Sequence, residues 1–83
     1  MTEQEHIRHA LLRTLYGTRA IRVSTPFLHT AMRNECRAAP ATVDAEIVFL
    51  TDAELMDTEP DGVGSSDYWK LTAAGVLHYE RHR

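Results

Sequence analysis

Five histidines are the residues best suited to hold a metal or move a proton in this 83-residue sequence, and four of them are spaced as pairs. His6 and His9 are three apart and His78 and His82 four apart, so each pair would share a face of a helix. Zinc asks for three or four ligands and a supporting second shell, and there is no CxxC, no HExxH and no acidic residue at a diagnostic spacing. Surface histidines and no metal are therefore expected. Cys36 is the one cysteine, which rules out an internal disulfide and reads as a small residue at the edge of a core rather than a nucleophile. Gly62-Val63-Gly64 stands in a turn-rich stretch, not between a strand and a helix, so it is turn chemistry and not a phosphate loop. Ser65 and Ser66 have no local base, and no enclosed pocket is foreseen to shift the carboxylates that follow Thr42. No catalytic residue, cofactor or small-molecule substrate is expected.

Charge is more informative than any of these groups. The net charge of −3 conceals a segregation along the chain: residues 1–37 hold six arginines against three glutamates, and residues 38–69 hold eight acidic residues with no lysine or arginine. Beyond them Lys70, Arg81 and Arg83 face only Glu80. A basic opening third is followed by a purely acidic middle.

The elements that must position these charges follow from hydrophobic periodicity. Ile7, Leu11 and Leu15, with Ala10 and Leu12 beside them, predict a helix over about residues 2–16, which Gly17 should end through a left-handed backbone. Ile21 and Val23 alternate in a strand over 20–23. Thr25, with Pro26 at the first helical position, should cap a second helix over about 25–36, its Leu28, Ala31 and Met32 turned inward. The link Ala38-Ala39-Pro40 leads into a third helix over about 41–54. There Val43, Ile47 and Leu50 fall in one sector, leaving Ala45, Val48, Phe49 and Asp52 outward. Two helices joined so tightly suggest helix-turn-helix. A β-hairpin over 55–71 with a long Pro60–Ser66 tip comes next, with Tyr68 and Trp69 packing it onto the core. Thr72 should cap a last helix, about 72–82, whose Val76, Leu77 and Tyr79 pack back on the first.

The whole of 1–83 is thus expected to be one domain of α+β class, mostly helical, close to the size at which a single core leaves a modest stability margin, so that a homodimer is expected. No apolar run reaches the roughly 18–20 residues needed to cross a bilayer, and the polar start is unlike a secretory signal. A soluble, cytoplasmic location with no membrane partner is the expectation.

Two stretches resemble motifs of the winged helix-turn-helix family. Thr42 to Leu50 with Leu55-Met56 resembles its recognition helix and the turn into the wing. Tyr68-Trp69-Lys70-Leu71-Thr72-Ala73-Ala74-Gly75 resembles its second wing strand running into an L-T-x-x-G helix start. Nearly the whole chain is covered, and the likeness is to small bacterial and prophage-borne regulators. It implies DNA binding and transcription regulation, with the third helix in the major groove and the wing beside the minor groove. On that reading Arg22, Arg33, Arg37 and Lys70 contact phosphates and Thr42 is the polar contact near the helix start. Glu54 departs from the pattern where a glycine commonly ends the recognition helix, which implies a different helix end.

The outward residues of the third helix oppose that role. Groove binding relies on Lys and Arg at phosphates and on Arg, Asn, Gln or Ser at base edges. The third helix instead turns out Asp44, Ala45, Val48, Phe49 and Asp52. The alternative is a protein-docking or dimerising winged helix that does not bind DNA, with Ala45, Val48 and Phe49 as an apolar centre and carboxylates including Asp52 as its rim. Its partner could be a second copy offering the arginine-bearing first third.

Overall fold

The computed structural model describes residues 2–18, 23–58 and 68–82. The first helix, α1 (Glu3–Gly17), starts at Thr2, whose hydroxyl accepts a hydrogen bond from the Glu5 amide at 3.1 Å. It buries Ile7, Leu11 and Leu15 on one line, with Ala10 and Leu12 beside them. Gly17 does not end it in a left-handed turn. It stays inside the helix, and Thr18 (φ −111°) closes the end by returning its amide to the Thr14 carbonyl. The Thr18 hydroxyl also donates to that carbonyl, at 2.9 Å, so one residue satisfies it twice.

Strand β1 (Val23–Ser24) runs directly into α2 (Thr25–Cys36). Ala20, Ile21 and Arg22 of the expected strand lie outside the described residues. The cap of α2 is Ser24 rather than Thr25: the Ser24 hydroxyl accepts from the Phe27 amide at 3.3 Å. Thr25 is drawn elsewhere, because its hydroxyl accepts the indole N–H of Trp69 at 2.8 Å. A long-range bond to the sheet has displaced a local cap.

Helix α3 (Pro40–Asp52) follows a left-handed Arg37 (φ 56°) and buries Val43, Glu46, Ile47 and Leu50. Its end shows what replaces the missing glycine. Glu54 itself takes the left-handed conformation (φ 63°), its amide bonding to the Thr51 carbonyl and that of Leu55 to the Leu50 carbonyl, both at 3.0 Å. These two bonds are those a glycine-terminated helix makes, so the helix end is kept without the glycine.

The chain then forms β2 (Met56–Thr58) and β3 (Tyr68–Leu71), followed by α4 (Ala73–His82). The expected hairpin tip, with Pro60, Gly62-Val63-Gly64, Ser65 and Ser66, lies outside the described residues. The three strands form an antiparallel sheet in the order β1-β3-β2, Trp69 standing between Val23 and Thr58 and Lys70 opposite Asp57. One core joins Ile7, Leu11 and Leu15 to Leu28, Met32, Val43, Ile47, Leu50 and Met56, with Trp69 packed against its edge.

The start of α4 is locked onto the end of α3. Thr72 caps α4 by accepting from the Gly75 amide at 3.0 Å, donates its own hydroxyl to the Glu54 carbonyl at 2.6 Å, and sends its amide to the Leu55 carbonyl at 3.1 Å. Gly75 is buried there, against the Leu55 carbonyl. Farther along α4, Tyr79 is buried against α1 with its ring 4.8 Å from that of Tyr16. Leu77 departs from expectation: it is 51% exposed rather than turned to α1. Four helices and a three-stranded antiparallel sheet in this order make an α+β fold of winged-helix type. No helix among the described residues is long and apolar enough to cross a membrane.

Candidate docking surface

The core stripe of α3 decides what its opposite face shows. With Val43, Ile47 and Leu50 at 0–3% exposure, residues about 180° away on the helical wheel must face outward. They are Ala41, Ala45, Val48 and Asp52, with Asp44 at the edge about 90° from the stripe, all exposed, one or two per turn along a ridge about 16 Å long. Val48 at its centre is 58% exposed. Asp44 takes a partner from α2, His29 Nε2, at 2.6 Å, while Asp52 has no ion pair or hydrogen-bonding side chain among the described residues.

Phe49, also 46% exposed, lies on the other edge of that outward face, about as far from the core stripe as Val48. Its ring carries the guanidinium of Arg8 from α1, 3.7 Å above the ring centroid. The same guanidinium donates through Nε to Glu46, a carboxylate left only 6% exposed in the interior of α3. An unpaired carboxylate there would be costly, and Arg8 is the charge that offsets it. The pair is nearly silent in the sequence. Its one signal was Glu46 standing within the Val43, Ile47, Leu50 stripe, where a charged residue requires a buried partner, although nothing in the spacing says that the partner is 38 positions away.

Between α1, the end of α3 and α4 lies an open cleft of about 520 Å³, with Leu12, Leu50 and Leu55 in its floor and Phe49 on its wall. Arg8 and His9 stand on one side, His78 and His82 on the other. His9 lies against Tyr79, with ring centroids 5.4 Å apart, and the His78 and His82 rings are 4.5 Å apart. Burial at the cleft edge lowers the pKa of His78 below the ordinary 6.5, with His82 and then His9 adding to the effect. The structure therefore brings one histidine of the first expected pair to both of the second. Among the described residues no group of three His, Cys, Asp or Glu has a geometry able to hold a metal ion.

The residues expected at a DNA backbone are spread over separate elements. Arg33 and Arg37 are exposed, Arg33 in the last turn of α2 and Arg37 just beyond it, and neither has an ion pair among the described residues. Thr42 is half-buried in the first turn of α3. Lys70 is exposed on β3 with Asp57 directly opposite in register, and Arg22 lies outside the described residues. Compared with known family models, with curated proteins and with solved structures, the chain matches none.

Proposed function

We propose that this protein is a winged-helix docking module that binds a protein surface through the outward ridge of α3. The observation that carries this reading is the ridge itself: Ala41, Asp44, Ala45, Val48 and Asp52 are all exposed. A helix laid in a major groove needs cations for phosphates and donors for base edges, and this one offers methyl groups and carboxylates. Its carboxylates would stand within the roughly 8 Å over which charges act at physiological salt. An apolar centre rimmed by charge is instead the make-up of a protein interface.

A regulator-like, DNA-binding role is the second reading, and the exposed Arg33 and Arg37 at the end of α2 favour it. Fluorescence anisotropy with short duplexes in low salt separates the two. The docking reading expects no saturable binding, and expects a photo-crosslinking residue at Val48 to give nuclease-resistant protein adducts in cells. Saturable duplex binding that weakens with salt, with a slope flattened by Arg33→Ala or Arg37→Ala, would overturn it.

A further inference from the structure

The charge beside the α3 ridge changes along its length. Near its start stand the basic side chains of α2 and the turn after it: His29 on Asp44, Arg33 one helical turn past His29 on the same face of α2, and Arg37 in the turn. Past Val48 the charged side chains are acidic, with Asp52 on the ridge, Glu54 at the helix end and Asp57 on β2 all exposed. Residues 38–58 contribute no lysine or arginine. Next to Asp52, Thr51 opens from the ridge into a pocket of about 550 Å³ between the end of α3, β2 and the start of α4. Met56, Ala73 and Ala74 give that pocket apolar walls, and its charged lining among the described residues is Glu54 and Asp57.

The groups that oppose these carboxylates fall short of them. The start of α4 brings about half a positive charge to the pocket. Lys70 stands opposite Asp57 in register and offsets part of its charge. Thr51 and Thr72 give their hydroxyl protons to the Ile47 and Glu54 carbonyls. Asp52 and Glu54 are left without an ion pair or a side-chain hydrogen bond among the described residues. Glu54 also holds its place at a cost, because a side chain in the left-handed conformation is less stable than glycine there.

Resting on the docking role of the ridge, we propose that the partner is a protein that presents a basic amphipathic helix, its apolar side chains over Ala45 and Val48 and a lysine or arginine at Asp52 and Glu54. The spacing sets the pattern. Val48 and Asp52 are one turn apart, about 6 Å, so a helix laid along the ridge meets both with an apolar and a basic residue three or four positions apart. The aliphatic stem of a lysine or arginine suits the walls of Met56, Ala73 and Ala74, and its charged end suits Glu54. An acidic helix in the same place would meet like charges within the screening length.

The test is selection of phage-displayed random peptides about 16 residues long, four to five helical turns, on the full chain, with the recovered peptides measured by fluorescence anisotropy. They are expected to carry a lysine or arginine three or four positions from a large apolar residue and to bind less tightly as salt rises. Val48→Ser should lower their affinity about tenfold, and Asp52→Asn and Glu54→Gln about two- to fivefold each. Glu54→Gly should weaken binding while raising the urea midpoint, so that the lost affinity does not come from unfolding. Asp52→Arg combined with Glu54→Arg should turn the selection toward acidic peptides. Peptides that depend on Val48 but show no excess of basic residues, or that keep full affinity for the Asp52 and Glu54 variants, would overturn the basic partner and leave the docking role standing. Peptides indifferent to Val48→Ser, or no recovered peptide at all, would overturn both.

Discussion

Replacing Gly75 and Gly17 by alanine should shift stability in opposite directions, because the two positions differ in what a methyl group would meet. Both glycines are helical, and in an open helix Gly→Ala gains up to about 1 kcal/mol of intrinsic helix preference. At Gly17 no heavy atom lies within 4 Å of the new methyl group, so no clash opposes the gain, which is a part of the interior value because Gly17 is the last residue of α1. At Gly75 the methyl carbon would stand 3.0 Å from the carbonyl carbon of Leu55, closer still to its oxygen, and 3.3 Å from a methyl of Leu71. The obstacle is backbone, so relief requires α4 to move away from the end of α3. That movement stretches the bond from the Thr72 amide to the Leu55 carbonyl and the bond from the Thr72 hydroxyl to the Glu54 carbonyl. Overpacking costs about 1–3 kcal/mol and each weakened hydrogen bond about 1 kcal/mol, which outweighs the helix preference. A net loss of about 2–4 kcal/mol lowers Tm by about 10–30 °C in a domain of this size, against a rise of a few degrees for Gly17→Ala. Thermal and urea melts followed by circular dichroism measure both. A Gly75→Ala variant that melts at or above wild type would refute the close approach of α4 to Leu55.

Glu54→Gly should stabilise the fold by about 1 kcal/mol, because it relieves a side chain held in the left-handed conformation; a lower urea midpoint would contradict the helix end described above. Arg8→Met should cost about 3 kcal/mol by leaving Glu46 buried without its cation, and adding Glu46→Leu should recover most of that loss; a double variant no more stable than the single one would show that Glu46 is not destabilised by its isolation. His78, whose pKa is lowered first by burial and then by His82 and His9, binds its proton more readily unfolded than folded. Its share of stability is therefore whole above about pH 6.5 and lost as pH falls through the lowered value, so Tm should drop on acidification and His78→Gln should flatten the drop. Burial raises the pKa of the Cys36 thiol more than the nearby Arg13 lowers it, and alkylation near pH 8 should run slower in the native chain than in urea, as a thiol-reactive dye would report.

The helices and their inward faces were legible because the information is local. Ile7, Leu11 and Leu15, or Val43, Ile47 and Leu50, repeat within one segment at the helical period, and burial of one face leaves the opposite face outward. The exposed ridge of Ala45, Val48 and Asp52 could be named from that rule alone. So could the Thr72 cap, since a hydroxyl three residues before Gly75 has an amide within reach.

What only the tertiary structure decided is how groups distant along the chain share their bonds. The Thr25 hydroxyl is equally suited to a helix cap or to a distant donor, and the arrival of Trp69 from β3 assigned the cap to Ser24. Glu46 is a surface residue by composition and a buried one by position, and Arg8 from another helix makes the burial tolerable while covering Phe49. Glu54 adopts a conformation its type disfavours, in a turn tied down by Thr72 and Leu55. In each case local preferences differ by about a kilocalorie, and a packing contact or buried charge of several kilocalories overrides them.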